Sequence, residues 1–290
     1  MASYIGVDIG GTKIHSALVS ENGRILKERF LKTETGKGRT KVLANIIESI
    51  NSVLRKDCKG IGIGSPGPLD IAKGKILHTP NLPLTNVNLK QILQKKFRLP
   101  VKVDNDANCF VLGEAMLGTG KGKKVVAGFT MGTGIGGGIV IDGKIFHGQN
   151  SAGEFGHMII NLDGKKGRCG HVGCLESFIG KHAIRDAAKK LHAKNPYELY
   201  MLAKKGNKKA MAIWADVGDY LGIGIANICN TIHPDMIVIG GNVSGAWKFF
   251  EKNMKKTARE TAIVKVPPIV KSKLGSSAAV LGAASLVLDK

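Results

Sequence analysis
The chain has 290 residues, 43% hydrophobic and 5% aromatic, which is enough to bury one large core or two ordinary ones. No stretch reaches the roughly 18 uninterrupted apolar residues of a membrane span, the start MASYIGVDIGG lacks a basic-then-apolar leader pattern, and five cysteines are too odd and sparse for a disulfide framework; a soluble, cytoplasmic protein with no membrane partner is expected. The net charge of +21 would attract polyanions, but the lysines are scattered and no aromatic stacking platform is visible, so a solvated basic surface is expected and no nucleic-acid partner.

In chain order, the strand YIGVDIGG (4–11) is followed by the apolar stretch IHSALVS (14–20), the hairpin turn Asn22-Gly23 and the strand RILKERFLKTE (24–34). A helix is predicted over 40–56, then the strand KGIGIGSPG (59–67), a helix near 88–97, the strand LPVKVDND (99–106) and a helix near 107–117. After the basic connection GTGKGKK the pattern restarts: VVAGFTMGTGIGGGIVIDGKIFHG (125–148) is again strand, glycine turn, strand, Asp142-Gly143 turn, strand. Helices over 178–192 and 208–231, the strand DMIVIGGN (235–242), a helix near 244–260, a strand near VPPIVKS (266–272) and a closing helix over 276–288 complete the chain. Two halves that each open with a glycine-turned hairpin and continue in βα units predict a duplicated α/β architecture with a cleft between them.

The glycine motifs admit several readings. Gly62-x-Gly64-x-x-Gly67 and Gly132-x-Gly134-x-x-Gly137 have the spacing of a dinucleotide loop, but that fingerprint requires a following helix. The first runs into Pro68 and the second into the strand GIVIDG, and no Walker-type G-x-x-x-x-G-K-[ST] occurs. Glycine turns remain, whose bare backbone N–H groups can approach phosphate or simply close a tight turn.

Taken together, Asp8-x-Gly10-x-Thr12-Lys13, then Gly132-Thr133-Gly134, then Ile239-Gly240-Gly241 resemble the two phosphate segments and the adenosine segment of the hexokinase/actin/Hsp70 ATPase fold, a duplicated ribonuclease H-like α/β fold. Glu154-x-Gly156-His157 and Cys169-Gly170-x-x-Gly173-Cys174-x-Glu176 narrow the resemblance to the ROK family, which comprises sugar kinases, related repressors and open-frame proteins. It covers essentially the whole chain.

The resemblance implies a site. Asp106, at the end of the VKVDNDAN strand, would be the general base, with Asn105 and Asn108 holding substrate or local structure, although Asp and Asn also cap helices; Asp104 ranks below Asp106. Asp8 resembles the carboxylate that organises Mg²⁺ through water, Thr12 and Lys13 would meet phosphate, and Gly10, Gly11, Thr133 and Gly134 would cradle it. Gly240 and Gly241 would let adenine and ribose lie on backbone. Glu154, His157 and Glu176 resemble the sugar-contacting set beside Asn105 and Asp106, while SPGPLD (65–70) and Asn81 either close over the sugar or form plain turns.

The family signature C-x-C-G-x-x-G-C-x-E departs here: its first cysteine is Gly167. His157, Cys169 and Cys174 remain as zinc ligands, one short of a closed tetrahedral site, with His171 or a water as the fourth, or no metal. Cys58, Cys109 and Cys229 read as core residues, and His15, His78, His147 and His233 receive no functional role.

The resemblance thus implies an ATP- and Mg²⁺-dependent hexose kinase, glucose first, acting on the 6-hydroxyl and closing on its sugar. Fructose, mannose, N-acetylglucosamine and N-acetylmannosamine are the other acceptors, polyphosphate the other donor and a homodimer the expected assembly. A sugar-responsive repressor would need a DNA-binding segment ahead of the first motif, which begins at residue 8; a non-catalytic sugar-binding member is the third reading. The expected division is 1–108 with the C-terminal helix 276–290 as a smaller domain, and 109–275 as a larger one.

Overall fold
The computed structural model describes residues 2–79 and 81–288. SYIGVDI forms β1 (Ser3–Ile9), buried almost throughout because strands flank it on both sides. It pairs antiparallel with β2 (Lys13–Ser20), which pairs antiparallel with the exposed β3 (Ile25–Lys32). Gly23, at φ +83°, closes the turn between β2 and β3 as the Asn-Gly signal predicts. Then follow α1 (Gly38–Val53), β4 (Cys58–Ser65), three two-residue strands β5 (Leu69–Asp70), β6 (Lys75–Ile76) and β7 (Val87–Asn88), α2 (Leu89–Phe97), β8 (Val101–Asn105) and α3 (Asp106–Leu117). β4 runs parallel to both β1 and β8, giving the sheet order β3-β2-β1-β4-β8.

The second sheet repeats that order. β9 (Val125–Met131), β10 (Ile135–Ile141) and β11 (Lys144–Ile145) lead to α4 (Leu175–Ile179), α5 (Lys181–Ala188), α6 (Pro196–Lys204), α7 (Lys208–Ile232), β12 (Met236–Gly240), α8 (Trp247–Thr261), β13 (Ile269–Lys271) and α9 (Ala278–Ser285). Its order is β11-β10-β9-β12-β13, with β9, β12 and β13 parallel. The duplicated α/β fold is therefore present.

Contacts divide the chain into two compact units: the first takes residues up to Gly122, Ile139–Ala152 and everything from Lys273, the second Lys123–Gly138 and Gly153–Ser272. This differs from the expected boundaries at 108 and 275, and the first unit is the larger. The physical reason is α3, which packs on α9 and β4 rather than leading away from them. Glycines permit this approach: a Cβ at Gly6 on β1, Gly62 on β4 or Gly113 on α3 would run into the backbone of α9. The Gly62-x-Gly64 spacing is thus a packing device, since Gly64 in turn admits Cys109 of α3, whose Sγ would lie 3.2 Å from an added Cβ.

Two helical expectations change. The predicted helix over 178–192 breaks at Gly180 into α4, α5 and a terminal 3₁₀ turn, because Gly180 lies tight against the carbonyl of Glu176. α6 was not anticipated, although Asn195 caps it through Glu198 N and Pro196 opens it.

Candidate active-site residues
In the first unit the site is built at strand ends. Asp8 lies at the end of β1, half-buried. Burial first, and then the charge of Asp106, push its carboxyl up to about 7 against the opposing pull of Lys13. Such a carboxylate gains from a bound cation. The turn after it is clamped: Gly10 N–H donates to the Lys13 carbonyl at 2.9 Å, and Thr33 closes it from outside through Oγ1 to Gly10 O (2.6 Å) and N–H to Thr12 O (3.1 Å). Thr12 and Lys13 are exposed, and Lys13 Nζ sits 5.3 Å from the Phe30 ring centre. Asn81 is brought to this turn, its Cβ 3.4 Å from where a Cβ on Gly11 would stand.

Asp106 is the first residue of α3 and Asn105 its cap, with Asn105 Oδ1 accepting from Ala107 N (2.8 Å) and Asn108 N (3.2 Å). Asn105 is therefore the helix cap that the alternative reading foresaw, and its Nδ2 remains on the side of Gly67. Asp106 Oδ1 accepts from Ala107 N at 2.9 Å; a helix N-terminus favours the ionised carboxylate. Asp104, 3% exposed, is locked from several directions: its Oδ1 accepts from Asn105 N (2.8 Å) and Asn108 Nδ2 (3.0 Å), its Oδ2 from His147 Nε2 (2.7 Å). Cys109 is wholly buried, and burial with the three carboxylates Asp104, Asp8 and Asp106 pushes its thiol well up. Cys58 and Cys229 are also core residues.

In the second unit the turn Gly132-Thr133-Gly134 is closed by Gly132 N–H to Gly134 O at 2.9 Å. Glu176 lies beneath it, accepting from Ile135 N at 2.8 Å and filling the space a side chain at Gly134 would need. The glycine run in β10 has a similar purpose, since a Cβ at Gly137 would strike Gly153 and Phe155. Gly153 to His157 thereby lie flat on the strand, with Phe155 5.0 Å from Phe129 between ring centres. This presents Glu154 and His157 on the surface, 57% and 44% exposed and 4.0 Å apart.

Gly241 (φ +84°) ends β12 against the backbone of Met131. A cavity of about 700 Å³ opens beside it. Thr133 and the segment Asn242–Ala246 line it, and so do Lys181, Asn195, Tyr197, Tyr200 and Trp214. Gly240 and Gly241 are not themselves part of this lining. The five residues on α5, α6 and α7 and ahead of α6 escaped the sequence reading; the Asn195-Pro196 helix start was the one local signal that pointed to them.

His157, Cys169 and Cys174 bring one ligand atom each within 4.8 Å of one another, and this is the metal-competent group among the described residues. The two sulfurs are 3.4 Å apart. A hydrogen bond with the His171 backbone is the main influence drawing the Cys169 thiol below its usual range, while burial pushes Cys174 up to about 11. The His171 side chain also hydrogen-bonds to Cys169, although it is not one of the group of three. A Cβ at Gly167 would lie 3.2 Å from Cys169 Sγ, so the position of the family's first cysteine faces the cluster. The set fits a thiophilic metal with three protein ligands.

The ROK family model matches residues 4–290. The chain belongs to the ROK family. Among ROK proteins it is 34% identical to a glucokinase of Thermotoga maritima over 99% of this chain and 97% of that one, and 32% identical to a xylose repressor of Caldicellulosiruptor bescii over 100% of this chain and 79% of the repressor. In structure it is similar to a ROK glucokinase from Streptomyces griseus solved with glucose and AMPPNP, with a TM-score of 0.86 at 29% identity, covering 98% of this chain and 99% of that one. The fold is thus that of the ROK sugar kinases, and no helix among the described residues is long and apolar enough to cross a membrane.

Proposed function
We propose that the chain is an ATP-dependent hexose kinase that transfers the γ-phosphate to the 6-hydroxyl of its sugar, with glucose as lead acceptor. The observation that carries this reading is Asp106: a carboxylate at a helix N-terminus, on a strand end, with the elevated Asp8 carboxyl as its electrostatic neighbour. The sugar relatives and the match to a structure holding glucose and AMPPNP support it.

In this reading Asp106 accepts the proton of the 6-hydroxyl as its oxygen attacks the γ-phosphorus in line; the bond from phosphorus to the β–γ bridging oxygen breaks and ADP leaves. Asp8 would hold Mg²⁺ through water, and the metal supplies neutralisation of the phosphate oxygens. Within the first unit, Lys13, Thr12, Gly10 and Gly11 are the phosphate residues that the family resemblance implies; within the second, they are Thr133 and Gly134. The 700 Å³ cavity takes the nucleoside, with Tyr197 and Tyr200 offering apolar faces and Lys181 a charge. Within the second unit, Glu154, His157 and Glu176 are the sugar-reading residues in this proposal; within the first, they are Asn105 and Asn81. Zinc on His157, Cys169 and Cys174 would brace the loop that ends at Glu176.

The test is product identification by phosphorus NMR after incubation with Mg-ATP and glucose, mannose, fructose, N-acetylglucosamine or N-acetylmannosamine. Glucose 6-phosphate as the main product supports the assignment, and preference for another sugar moves the acceptor while keeping the kinase. No phosphorylated sugar with any of the five, with either ATP or polyphosphate as donor, contradicts it and favours a non-catalytic sugar-binding member, which the repressor relative makes the second reading.

A further inference from the structure
The segment after β11 runs back along the first unit and grips it at two places. His147 Nε2 donates to Asp104 Oδ2 at 2.7 Å. Three residues on, Asn150 accepts from Ile71 N at 3.1 Å through Oδ1 and donates through Nδ2 to the Leu69 carbonyl. The segment is itself a tight turn, with Ala152 N–H on His147 O at 3.0 Å and Gly148 at φ +57°. One short strap thus ties the β8–α3 junction to the loop that begins at β5.

What the strap grips decides its meaning. Asp104 is almost wholly buried, and its Oδ1 holds the peptide N–H of Asn105 on one side of Asp106 and the side chain of Asn108 on the other. The orientation of Asp106 therefore depends on the rotamer of Asp104. That rotamer is fixed at its other oxygen by His147, since a buried carboxylate oxygen stripped of its donor carries an unmet desolvation cost. The hydrogen bond to Asp104 also raises the pKa of His147 above the usual imidazole range against the effect of burial.

We propose that His147 is a positioning residue of the phosphotransfer reaction, acting through Asp104 on Asp106, and that Asn150 is the second arm of the same strap, acting on the Leu69–Ile71 loop at the sugar side. The inference rests on the assignment of Asp106 as the base. The strap separates two kinetic effects: loss of the His147 arm misplaces the base, and loss of the Asn150 arm loosens the loop.

The experiment compares steady-state kinetics of wild type, His147→Leu, His147→Gln, Asn150→Ala and Asp106→Asn with Mg-ATP and the best sugar, together with melting temperatures. The expected result for His147→Leu is a kcat reduced about 10- to 100-fold, as misplacement of a catalytic group produces, with the KM of sugar and ATP within about 3-fold of wild type. His147→Gln, which offers an amide donor to Asp104, recovers most of that loss. Asn150→Ala raises the sugar KM and leaves kcat within about 3-fold. Unchanged kcat in His147→Leu, or equal losses in the Leu and Gln variants tracking a fall in melting temperature, overturns the positioning role while the kinase stands. An Asp106→Asn protein as active as wild type, or a wild type inactive on every sugar, overturns the base assignment and the strap's role with it.

Discussion

The two sheets share one strand order and differ in what their strand ends carry. β1 ends in Asp8 and β8 runs into Asn105 and Asp106, whereas their counterparts β9 and β13 end at Met131-Gly132 and Lys271-Ser272. The first unit collects the carboxylates Asp8, Asp104 and Asp106, and burial with the charge of Asp106 pushes the Asp8 carboxyl up. The second has a glycine turn over Glu176 and a cavity walled by two tyrosines and a tryptophan. A duplicated backbone thus carries carboxylates at its strand ends on one side and an aromatic-walled cavity on the other, and the proposed phosphotransfer would use the first for charge and the second for the nucleoside.

After loss of Asp106 itself, the largest expected effect that sharpens this contrast comes from Asp8→Asn. Turnover should fall about 100- to 1,000-fold through loss of magnesium organisation, with ATP and sugar still bound in calorimetry. Stability should move the other way. The Asp8 carboxyl titrates at about 7 in the folded chain against a reference of 3.8, so its favourable neutral form is fully present below about pH 4 and is lost as pH rises through 7. The melting temperature of Asp8→Asn should match wild type near pH 4 and exceed it increasingly up to about pH 7, then by a constant margin; a gap independent of pH would contradict the buried-carboxyl account.

On the opposite unit, Gly241→Ala should weaken ATP binding about 10- to 100-fold and leave sugar binding untouched. The φ of +84° and the Met131 backbone leave no room for a methyl group without moving the segment that lines the cavity. Equal losses for both ligands would deny the second unit its separate nucleoside role.

Much of this contrast is legible in the sequence. Asp8, the glycine turns and the DND run at the end of β8 all sit at strand ends marked by apolar runs and by turn residues, and the Asp142-Gly143 turn takes the positive φ values its sequence predicts. The rest was hidden for physical reasons. β5 to β7 are two residues each, too short for periodicity. The cavity wall is assembled from helices α5, α6 and α7, side chains that only the tertiary fold brings together, and α6 itself was not anticipated. His147 meets Asp104 across 43 residues of chain, a pairing that the fold creates and no local pattern announces.

The smallest effect concerns metal. Gly167→Cys places a third sulfur, and a fourth ligand, beside the His157, Cys169 and Cys174 set, and zinc should then survive dialysis against a chelator that strips wild type, with an apparent affinity about 10-fold tighter or more. Equal retention in both proteins would show that three ligands already close the site.

The most direct test of the account is turnover by Asp106→Asn, measured under saturating Mg-ATP and glucose after calorimetry has shown that both ligands still bind. General-base catalysis by this carboxylate predicts a kcat about 100- to 10,000-fold below wild type with both affinities retained, whereas a kcat within a few-fold of wild type would contradict it.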